Sequence, residues 1–204
     1  MSANLPTATV RGAAYYAGFL DPEAQRMLVD EVRGIVERAP LFHPETRRGQ
    51  KMSVRMTSAG TCGWISDRRG YRYDDRHPSG VAWPPIPAAI LDIWASVVPT
   101  ARQPDTCLIN FYVETARMGL HQDRDEVDQS QPVVSISLGD DALFRIGNET
   151  RGGSTESLWL RSGDVLILSG DARMRHHGID RVRAGSSGLL ARGGRLNLTL
   201  RVAR

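Results

Sequence analysis

Three residues of this chain have the types and the spacing of a metal-binding centre. His121 and Asp123 lie two residues apart, and a pair of histidines, His176 and His177, follows much later. Two imidazoles and one carboxylate can occupy one face of a metal ion and leave its other positions open, as in mononuclear non-haem Fe(II) sites. A histidine and an aspartate at this spacing occur by chance in many chains, so the hypothesis depends on the rest of the sequence.

One later segment has the chemistry to hold an acidic cosubstrate beside such a metal. Residues 194–202 alternate between polar and apolar side chains, which predicts a β-strand. One face would present Arg195, Asn197, Thr199 and Arg201, and the other Leu196, Leu198, Leu200 and Val202. Two guanidinium groups and an amide suit a dicarboxylate, because an arginine fork binds a carboxylate through two parallel hydrogen bonds. A solvated outer face is the alternative.

The composition fits one soluble globular unit. The 204 residues are enough for a single substantial core, so we expect one domain over residues 1–204. No apolar run reaches the roughly 18 residues that cross a bilayer, and the N-terminus has no signal pattern. We therefore expect a cytoplasmic monomer with no membrane partner. Cys62 and Cys107 lack the spacing of a zinc or redox pair, which indicates two free thiols in a reducing compartment.

Positive charge is concentrated in the first half of the chain. Residues 47–76 hold eight basic and three acidic side chains, so this segment carries +5 although the whole chain carries +3. The same segment contains Trp64, Tyr71 and Tyr73. Cations can bind phosphates while aromatic rings stack on bases, so the pattern favours a nucleic-acid strand as partner. A charged, solvated loop is the alternative, because the excess of arginine over lysine is typical of a biased genomic composition.

Two helices are expected before the strand-rich part of the chain. Asp21 is a candidate N-cap with Pro22 at the first helical position, and apolar residues then recur at helical spacing up to Pro40. A second helix is expected from about residue 87 to residue 98, before Pro99. Between the helices, residues 43–85 should contain short strands or ordered loops.

Strand patterns dominate from about residue 106 onward. They cover residues 106–114, 132–138, 142–147, 157–161, 164–169 and 194–202, separated by clusters of Gly, Asp and Asn. A parallel sheet would require a helix between successive strands, and no helical pattern lies there. An antiparallel sandwich or barrel is therefore favoured, with the helices covering one sheet.

Several short motifs, in order along the chain, resemble those of one enzyme family. They are CLINFY at 107–112, LHQDRDE at 120–126, VSISLG at 134–139, HGI at 177–179 and RLNLTLR at 195–201. Upstream, residues 52–57, 63–64 and 70–73 match the family's nucleotide-recognition lid. Together they cover about residues 50–202 and resemble the AlkB family of Fe(II)/2-oxoglutarate dioxygenases, in its bacterial alkylated-DNA repair branch. Such an ordered string is far more specific than any one of its motifs.

The resemblance implies an α+β fold. Its core is a double-stranded β-helix, or jelly roll, over about residues 104–204, with the N-terminal helices packed on one sheet. The nucleotide-recognition lid would cover about residues 45–80.

The resemblance also implies a role for individual residues. His121, Asp123 and His177 would bind iron and form the catalytic centre. Five residues would bind 2-oxoglutarate, with Arg195 on its distal carboxylate: Asn110, Tyr112, Arg195, Asn197 and Arg201. Four would contact the substrate, with Trp64 against a flipped base: Met56, Trp64, Tyr71 and Asp125.

The remaining histidines and acids near these motifs receive weaker assignments. Adjacent strand residues face opposite sides, so at most one histidine of the pair 176–177 should reach the metal. The HGI motif selects His177 and leaves His176 beside the site or at the surface. His43 and His77 are expected at the surface. Glu126 and Asp128 are expected to be solvated or hydrogen-bonded within their loop.

The function that the resemblance implies is oxidative demethylation in direct repair of alkylation damage. The enzyme would use Fe(II), 2-oxoglutarate and O₂ to remove N-alkyl groups, such as those of 1-methyladenine and 3-methylcytosine, from single-stranded DNA or RNA. Two alternatives stay open on the sequence. One is a hydroxylase of the same fold that acts on a small molecule or a protein, and the other is a non-enzymatic jelly-roll binding module.

Overall fold

The computed structural model describes residues 5–204 of the chain. Its helices are α1 (Pro22–Arg38) and α2 (Ala88–Val97), and a short 3-10 turn covers Gly170–Ala172. Its strands are β1 (Ala8–Val10), β2 (Ala13–Tyr16), β3 (Arg55–Gly60), β4 (Gly63–Asp67), β5 (Gly70–Asp74), β6 (Thr106–Tyr112), β7 (Met118–His121), β8 (Val133–Gly139), β9 (Asp141–Ile146), β10 (Glu156–Leu160), β11 (Val165–Leu168), β12 (His177–Arg183) and β13 (Arg195–Arg201).

Two antiparallel sheets and one hairpin contain these strands. The larger sheet has seven strands in the order β1-β2-β11-β8-β13-β6-β3, and the smaller has four in the order β10-β9-β12-β7. Strands β4 and β5 form a separate hairpin. From β6 onward every connection crosses from one sheet to the other, except that between β9 and β10. Two antiparallel sheets interleaved in this way fit the jelly roll that the sequence predicted.

The hydrophobic residues form two main clusters, one on each side of the larger sheet. The first joins buried residues of both helices to the outer face of that sheet, and Leu28, Ile90 and Leu198 are among its members. The second contains residues of both sheets, including Leu108 and Phe144. Side chains alternate along a strand, so the leucines of β13 pack in the first cluster and its polar residues face the smaller sheet.

Helix α1 begins where the sequence predicted. The Asp21 carboxylate accepts hydrogen bonds from the backbone N–H groups of Glu23 at 3.0 Å and Ala24 at 2.8 Å, and Pro22 is the first helical residue. Such a cap stabilises a helix by about 1 kcal/mol. Both helices follow the expected bounds, α1 ending before Pro40 and α2 before Pro99. Neither helix in residues 5–204 has the length and apolarity needed to cross a membrane.

The six predicted strands are all present, with ends that differ by one or two residues. The patterns missed β1, β2, β7 and β12. Strands β1, β2 and β7 have three or four residues each, too few for an alternation to stand out. Strand β12 begins with His-Gly and carries Asp180, Arg181 and Arg183, so its sequence reads as a polar loop. Within residues 43–85, the expected short strands are β3, β4 and β5.

The prediction that His77 lies at the surface is wrong. This side chain is buried, and its Nε2 lies 2.9 Å from the backbone oxygen of Pro40 while its Nδ1 lies 2.7 Å from the Ser79 hydroxyl. Its ring packs edge-on against Phe42 and Trp83. Two of these partners, Pro40 and Phe42, come from distant positions in the sequence, so the local pattern around His77 did not indicate its burial. His43 is exposed, as expected.

Candidate active site

The three predicted metal ligands converge at one end of the smaller sheet. His121 is the last residue of β7 and His177 is the first of β12, and the two are direct partners in the antiparallel register. Their ring centroids are 4.7 Å apart. Asp123 follows β7 by two residues. One ligand atom from each of the three side chains lies within 4.8 Å of the others.

Backbone hydrogen bonds orient both imidazole rings. Nδ1 of His121 lies 3.0 Å from the carbonyl oxygen of Gly119, and Nδ1 of His177 lies 3.0 Å from that of Arg175. A carbonyl oxygen can only accept, so each Nδ1 carries a proton, and in a neutral ring this leaves the lone pair on Nε2. The two Nε2 atoms face Asp123, at 3.8 Å from Oδ1 and 3.7 Å from Oδ2 respectively.

Asp123 is buried, and only one of its two carboxylate oxygens accepts a hydrogen bond. Its Oδ1 accepts a hydrogen bond from Nη2 of Arg201 at 2.9 Å, whereas Oδ2 has no hydrogen-bond donor among residues 5–204. Burial tends to raise the pKa of this carboxyl, but Arg201 and then the two imidazoles outweigh it and lower the pKa well below its usual range. The carboxylate is therefore ionised at neutral pH.

The surroundings of His177 also suit a metal ligand. Burial, and then the neighbouring imidazole of His121, lower the pKa of His177 to about 4, so its ring is neutral at physiological pH. Two imidazole nitrogens and an ionised carboxylate oxygen without a donor form the donor set that a facial Fe(II) site requires. The residues present thus fit an iron ion, and they approach it from one side.

A cavity of about 1000 Å³ opens beside these three residues. One wall carries the polar face of β13 and residues of the neighbouring strand β6, and the other carries β7 and β12. The deeper lining is apolar and includes Leu108, Phe144 and Leu168. A volume of this size can admit a small cosubstrate together with part of a larger substrate.

Arg195 is a buried cation with too few partners. Its side chain is 1% exposed, and its Nη2 donates to the Ser137 hydroxyl at 3.0 Å. Nε and Nη1 have no acceptor within the described part of the chain, and no carboxylate pairs with the group there. Burial lowers the pKa of Arg195, which reflects the cost of holding its charge away from water. Such a group is suited to bind an anionic ligand in the cavity.

Three other predicted cosubstrate residues lie beside Arg195. Tyr112 and Asn110 on β6 are the register partners of Arg195 and Asn197 on β13, so the four side chains form two adjacent pairs. The Arg195 guanidinium carbon lies 5.3 Å from the centre of the Tyr112 ring. Asn197 donates to the Ser135 hydroxyl at 2.7 Å, and Oδ1 of Asn110 is buried without a donor among residues 5–204.

Arg201 has a different setting from Arg195. It already pairs with Asp123 and, through Nε, with Glu126 at 3.3 Å. Burial tends to lower the pKa of Arg201, but Asp123 and its other neighbours raise it above its ordinary value. Its direct effect is to hold the metal-facing carboxylate in a fixed orientation, while Nε and Nη1 have no hydrogen-bond partner among residues 5–204.

Glu126 corrects one sequence prediction and extends the site. It was expected to be solvated or bonded within its loop, but its side chain is only 2% exposed. It accepts from Arg173 at 3.1 Å and from the Tyr73 hydroxyl at 2.6 Å, and it pairs with Arg201. The carboxylate thus joins β5 of the hairpin to the arginine that orients Asp123. Asp128 behaves as expected, because its partners Ser130 and Gln131 lie in its own loop.

Arg173 was also missed by the sequence analysis. Its Nη1 donates to the backbone oxygen of Asp123 at 2.5 Å, and its Nε donates to that of Gln131 at 2.8 Å. It lies just after the short 3-10 turn, where no strand or helix pattern indicated burial. Its partners Asp123, Glu126 and Gln131 all lie in the loop between β7 and β8, so the sequence around Arg173 gave no sign of its burial.

The predicted substrate residues come from three strands and from the loop that follows β7. Trp64 and Tyr71 lie on β4 and β5, where their rings stack with centroids 5.5 Å apart. The Trp64 Nε1–H donates to the Asp125 carboxylate at 3.0 Å. Met56 lies on β3 of the larger sheet and is buried, as the register partner of Asn110. All four residues line the cavity.

His176 lies beside the site and does not join the three ligand atoms. It lines the cavity, and its Nδ1 is 3.2 Å from the backbone oxygen of Asn148. Its own backbone N–H donates to that same oxygen at 3.0 Å. These contacts attach the residue before His177 to the loop after β9.

Comparisons with known proteins agree with this geometry. Residues 12–201 match the family model of the 2OG-Fe(II) oxygenase superfamily. The alpha-ketoglutarate-dependent dioxygenase AlkB homolog of Caulobacter vibrioides is 53% identical over 200 residues, which cover 98% of this chain and 91% of that protein. The alpha-ketoglutarate-dependent dioxygenase AlkB of Escherichia coli K12 is 36% identical over 185 residues, covering 88% and 85%. The solved structure of OsALKBH1 has a TM-score of 0.80 at 31% identity, covering 96% of this chain and 100% of that one.

A jelly roll with this donor set and this family match is an Fe(II)/2-oxoglutarate-dependent oxygenase. Within that class, the chain belongs to the AlkB family of dioxygenases. Fe(II), 2-oxoglutarate and O₂ are therefore its cofactor and cosubstrates, and the family predicted from the motifs is confirmed. The alternative of a non-enzymatic binding module is wrong.

Proposed function

We propose that this dioxygenase is an oxidative demethylase of nucleic acids. It would remove N-alkyl groups, such as those of 1-methyladenine and 3-methylcytosine, from single-stranded DNA or RNA in direct repair of alkylation damage. The observation that carries the proposal is the contact between Trp64 and Asp125, which line the same cavity as the candidate metal ligands.

An indole beside a carboxylate is suited to a methylated base. Alkylation at N1 of adenine or N3 of cytosine leaves the base with a positive charge, which an ionised carboxylate attracts. The indole ring offers a flat surface on which any base can stack. Trp64 would thus stack on the planar face of the damaged base, and Asp125 would bind its positive charge.

The edge of the cavity supports a polyanionic substrate. Arg47, Arg124 and Arg151 line the cavity and are exposed, and none of them pairs with a carboxylate in residues 5–204. Asp125 and Glu149 are also exposed there, so the edge is mixed in sign. Unpaired arginines next to a negative base-binding group suit a strand whose phosphates stay outside while one base enters.

The metal and cosubstrate roles follow from the donor set. His121, Asp123 and His177 would hold Fe(II). Arg195 would bind the distal carboxylate of 2-oxoglutarate, and the groups beside it would bind the remainder: Asn110, Tyr112, Asn197 and Arg201. When bound, iron and 2-oxoglutarate supply the oxygen activation that hydroxylates the N-methyl carbon, after which formaldehyde leaves and the base is restored.

The depth of the site explains why the base must leave its stack. A methyl group inside a duplex cannot approach the buried Asp123 and His177, so the nucleotide is flipped out or is already single-stranded. Tyr71, which is 50% exposed, would lie near the phosphate or the exocyclic groups of that nucleotide. Met56 would contact the base from the floor of the cavity.

The test measures formaldehyde and succinate from oligonucleotides that carry one methylated base. Single-stranded and duplex DNA and RNA would be supplied with Fe(II), 2-oxoglutarate and O₂, and the His177→Ala variant gives the background. We expect formaldehyde from single strands with 1-methyladenine or 3-methylcytosine. The Asp125→Asn variant should lose about tenfold in kcat/KM on these cationic bases and less on a neutral N-methylated base.

Two results would count against the proposal. One is formaldehyde no higher than the His177→Ala background with every methylated oligonucleotide. The other is succinate formation that a small molecule or a protein accelerates and methylated nucleic acid does not, which would favour a hydroxylase of the same fold. An equal effect of Asp125→Asn on cationic and neutral bases would remove the electrostatic part alone.

A further inference from the structure

Arg11 occupies a backbone conformation that side chains rarely adopt. Its φ is 47°, and it is the only non-glycine residue with positive φ in residues 5–204. With Gly12, at φ 85°, it forms the two-residue turn between β1 and β2, where Val10 pairs with Ala13. Turns of this geometry prefer Asn or Gly at both positions. A long, charged residue held in such a conformation points to a function for its side chain.

All three nitrogens of the Arg11 guanidinium donate to the segment that leads into β10. Nε donates to Glu156 at 3.1 Å, Nη1 to the Asn148 side-chain oxygen at 2.6 Å, and Nη2 to the Ser154 hydroxyl at 2.9 Å. The Arg11 side chain is 17% exposed. These partners belong to residues 147–155, which connect β9 to β10 and which we call the rim loop, and to the first residue of β10.

The opposite side of the rim loop borders the active-site cavity. Its residues Glu149, Thr150 and Arg151 line that cavity. Its base is attached to the strand that carries a candidate metal ligand, because Gly147 donates to the backbone oxygen of His176 at 2.8 Å. The loop therefore spans from the contacts of Arg11 to the cavity edge.

The rim loop contains two adjacent glycines in conformations that other residues rarely adopt. Gly152 has φ 101° and Gly153 has φ 79°, both in the region that glycine adopts freely. Within the loop, Asn148 donates to the backbone oxygen of Gly152 at 3.1 Å. The Asn148 side chain that closes this turn is the one that Arg11 holds, so loss of Arg11 would release the part of the loop next to Arg151.

We propose that Arg11 is a positioning residue that orders the rim loop for substrate binding. It keeps Arg151 at the cavity edge, where this arginine meets the nucleic-acid strand, without touching substrate, metal or cosubstrate itself. The three donor nitrogens of Arg11 bond to three separate partners, which a glycine or an asparagine in the same turn could not do. This inference rests on the proposed nucleic-acid substrate and adds a residue that determines how tightly the strand binds.

The test uses Arg11→Gly, because glycine adopts positive φ without strain. A merely structural role predicts that removing three hydrogen bonds lowers the melting temperature and leaves KM unchanged. The positioning role predicts an unchanged or raised melting temperature and a rise of roughly five- to tenfold in KM for a methylated oligonucleotide. Succinate formation without oligonucleotide should stay at the wild-type rate. Arg11→Lys should give an intermediate KM, since a single ammonium nitrogen replaces three donor nitrogens that point to separate partners.

A second measurement does not depend on substrate. Amide hydrogens of residues 148–154 should exchange faster in Arg11→Gly than in the wild type. The control is Arg33→Ala, which removes an exposed arginine whose partner is Asp30 on α1; it should leave both exchange and KM unchanged.

The outcomes separate this inference from the proposed function. Wild-type exchange and wild-type KM in Arg11→Gly, with an active wild-type enzyme, would overturn the inference and leave the proposed function standing. If the wild type acts on no methylated oligonucleotide, the proposed function fails and takes the substrate half of the inference with it. The exchange data would then still confirm or overturn the ordering of the loop by Arg11.

Discussion

Arg201 and Asp123 form a buried ion pair, with Nη2 and Oδ1 2.9 Å apart. The pair links β13, in the middle of the larger sheet, to the loop that follows β7. Because Arg201 binds one carboxylate oxygen, the other is directed to the side where the two histidine Nε2 atoms lie. The orientation of the metal-facing carboxylate is thus set by protein contacts alone, before any metal binds.

Replacing Arg201 should weaken metal binding. In Arg201→Gln the Asp123 carboxyl loses its main charge partner, so burial dominates and its pKa rises toward and above the ordinary range. Protons then compete with the metal at a higher pH than in the wild type. We expect about 10- to 100-fold weaker binding of Fe(II), measured anaerobically by calorimetry. Arg204→Gln is the control, since Arg204 pairs with Asp75 at the surface; an equal effect in both would contradict the prediction.

Replacing Arg195 should separate cosubstrate binding from stability. Arg195→Met removes a buried charge that has no carboxylate partner, so the melting temperature of the protein alone should stay the same or rise. Addition of 2-oxoglutarate at about 100 times its Kd should stabilise the wild type by roughly 2.7 kcal/mol and leave the variant unaffected. Thermal unfolding with and without 2-oxoglutarate is the measurement. Stabilisation of Arg195→Met by the ligand would disprove the assigned role.

Replacing Glu126 should destabilise the protein even though the residue is not a metal ligand. Glu126→Gln keeps the shape of the side chain but leaves Arg173 and Arg201 short of a negative charge in a buried position. Breaking a buried pair in this way costs about 3 to 5 kcal/mol. Urea unfolding should report the loss. Asp128→Asn, whose partners lie in its own loop, is the matched control and should change stability far less.

Two variants of Trp64 should distinguish stacking from hydrogen bonding. Trp64→Phe keeps an aromatic ring but loses the Nε1–H that donates to Asp125, whereas Trp64→Ala loses both. Loss of a stacked ring is worth about 1 to 3 kcal/mol per base, so KM for a methylated oligonucleotide should rise about tenfold or more in Trp64→Ala. Trp64→Phe should give a smaller rise. If Trp64→Ala matched the wild type, the ring would have no part in substrate binding.

The two cysteines should be inert until the protein unfolds. Burial raises the pKa of Cys62 to about 11 and that of Cys107 to about 12. The thiolate is the reactive form, so neither should react with Ellman's reagent at pH 8 in the native state, and both should react in urea. The folded chain keeps protons that the unfolded chain releases near pH 9, so the free energy of unfolding should fall as pH rises from 9 toward 11.

The sequence was informative where one pattern was sufficient for both structure and chemistry. The alternation in residues 195–201 predicted a strand and the polar face that lines the cavity, and both are present. The capped start of α1 was equally local, since Asp21 bonds to residues two and three positions away. The ligands themselves needed the family motifs, because the pairing of β7 with β12 is a long-range event that no local pattern encodes.

The buried charges were beyond prediction for a physical reason. Glu126 was expected to be solvated or bonded within its loop and Arg173 received no prediction, because charged side chains are buried only when partners neutralise them. Those partners come from β5, β13 and the turn before β12, and only the folded chain assembles them. His77 was misjudged for the same reason, since Pro40 and Ser79 satisfy its ring.

Strand β13 serves the interior of the molecule twice, with leucines toward the helices and polar groups toward the cavity. A shift of one residue in its pairing would exchange the two faces. The guanidinium groups would then enter the hydrophobic cluster under the helices, and the leucines would line the cavity. A one-residue insertion or deletion in this strand should therefore disrupt folding and catalysis at once.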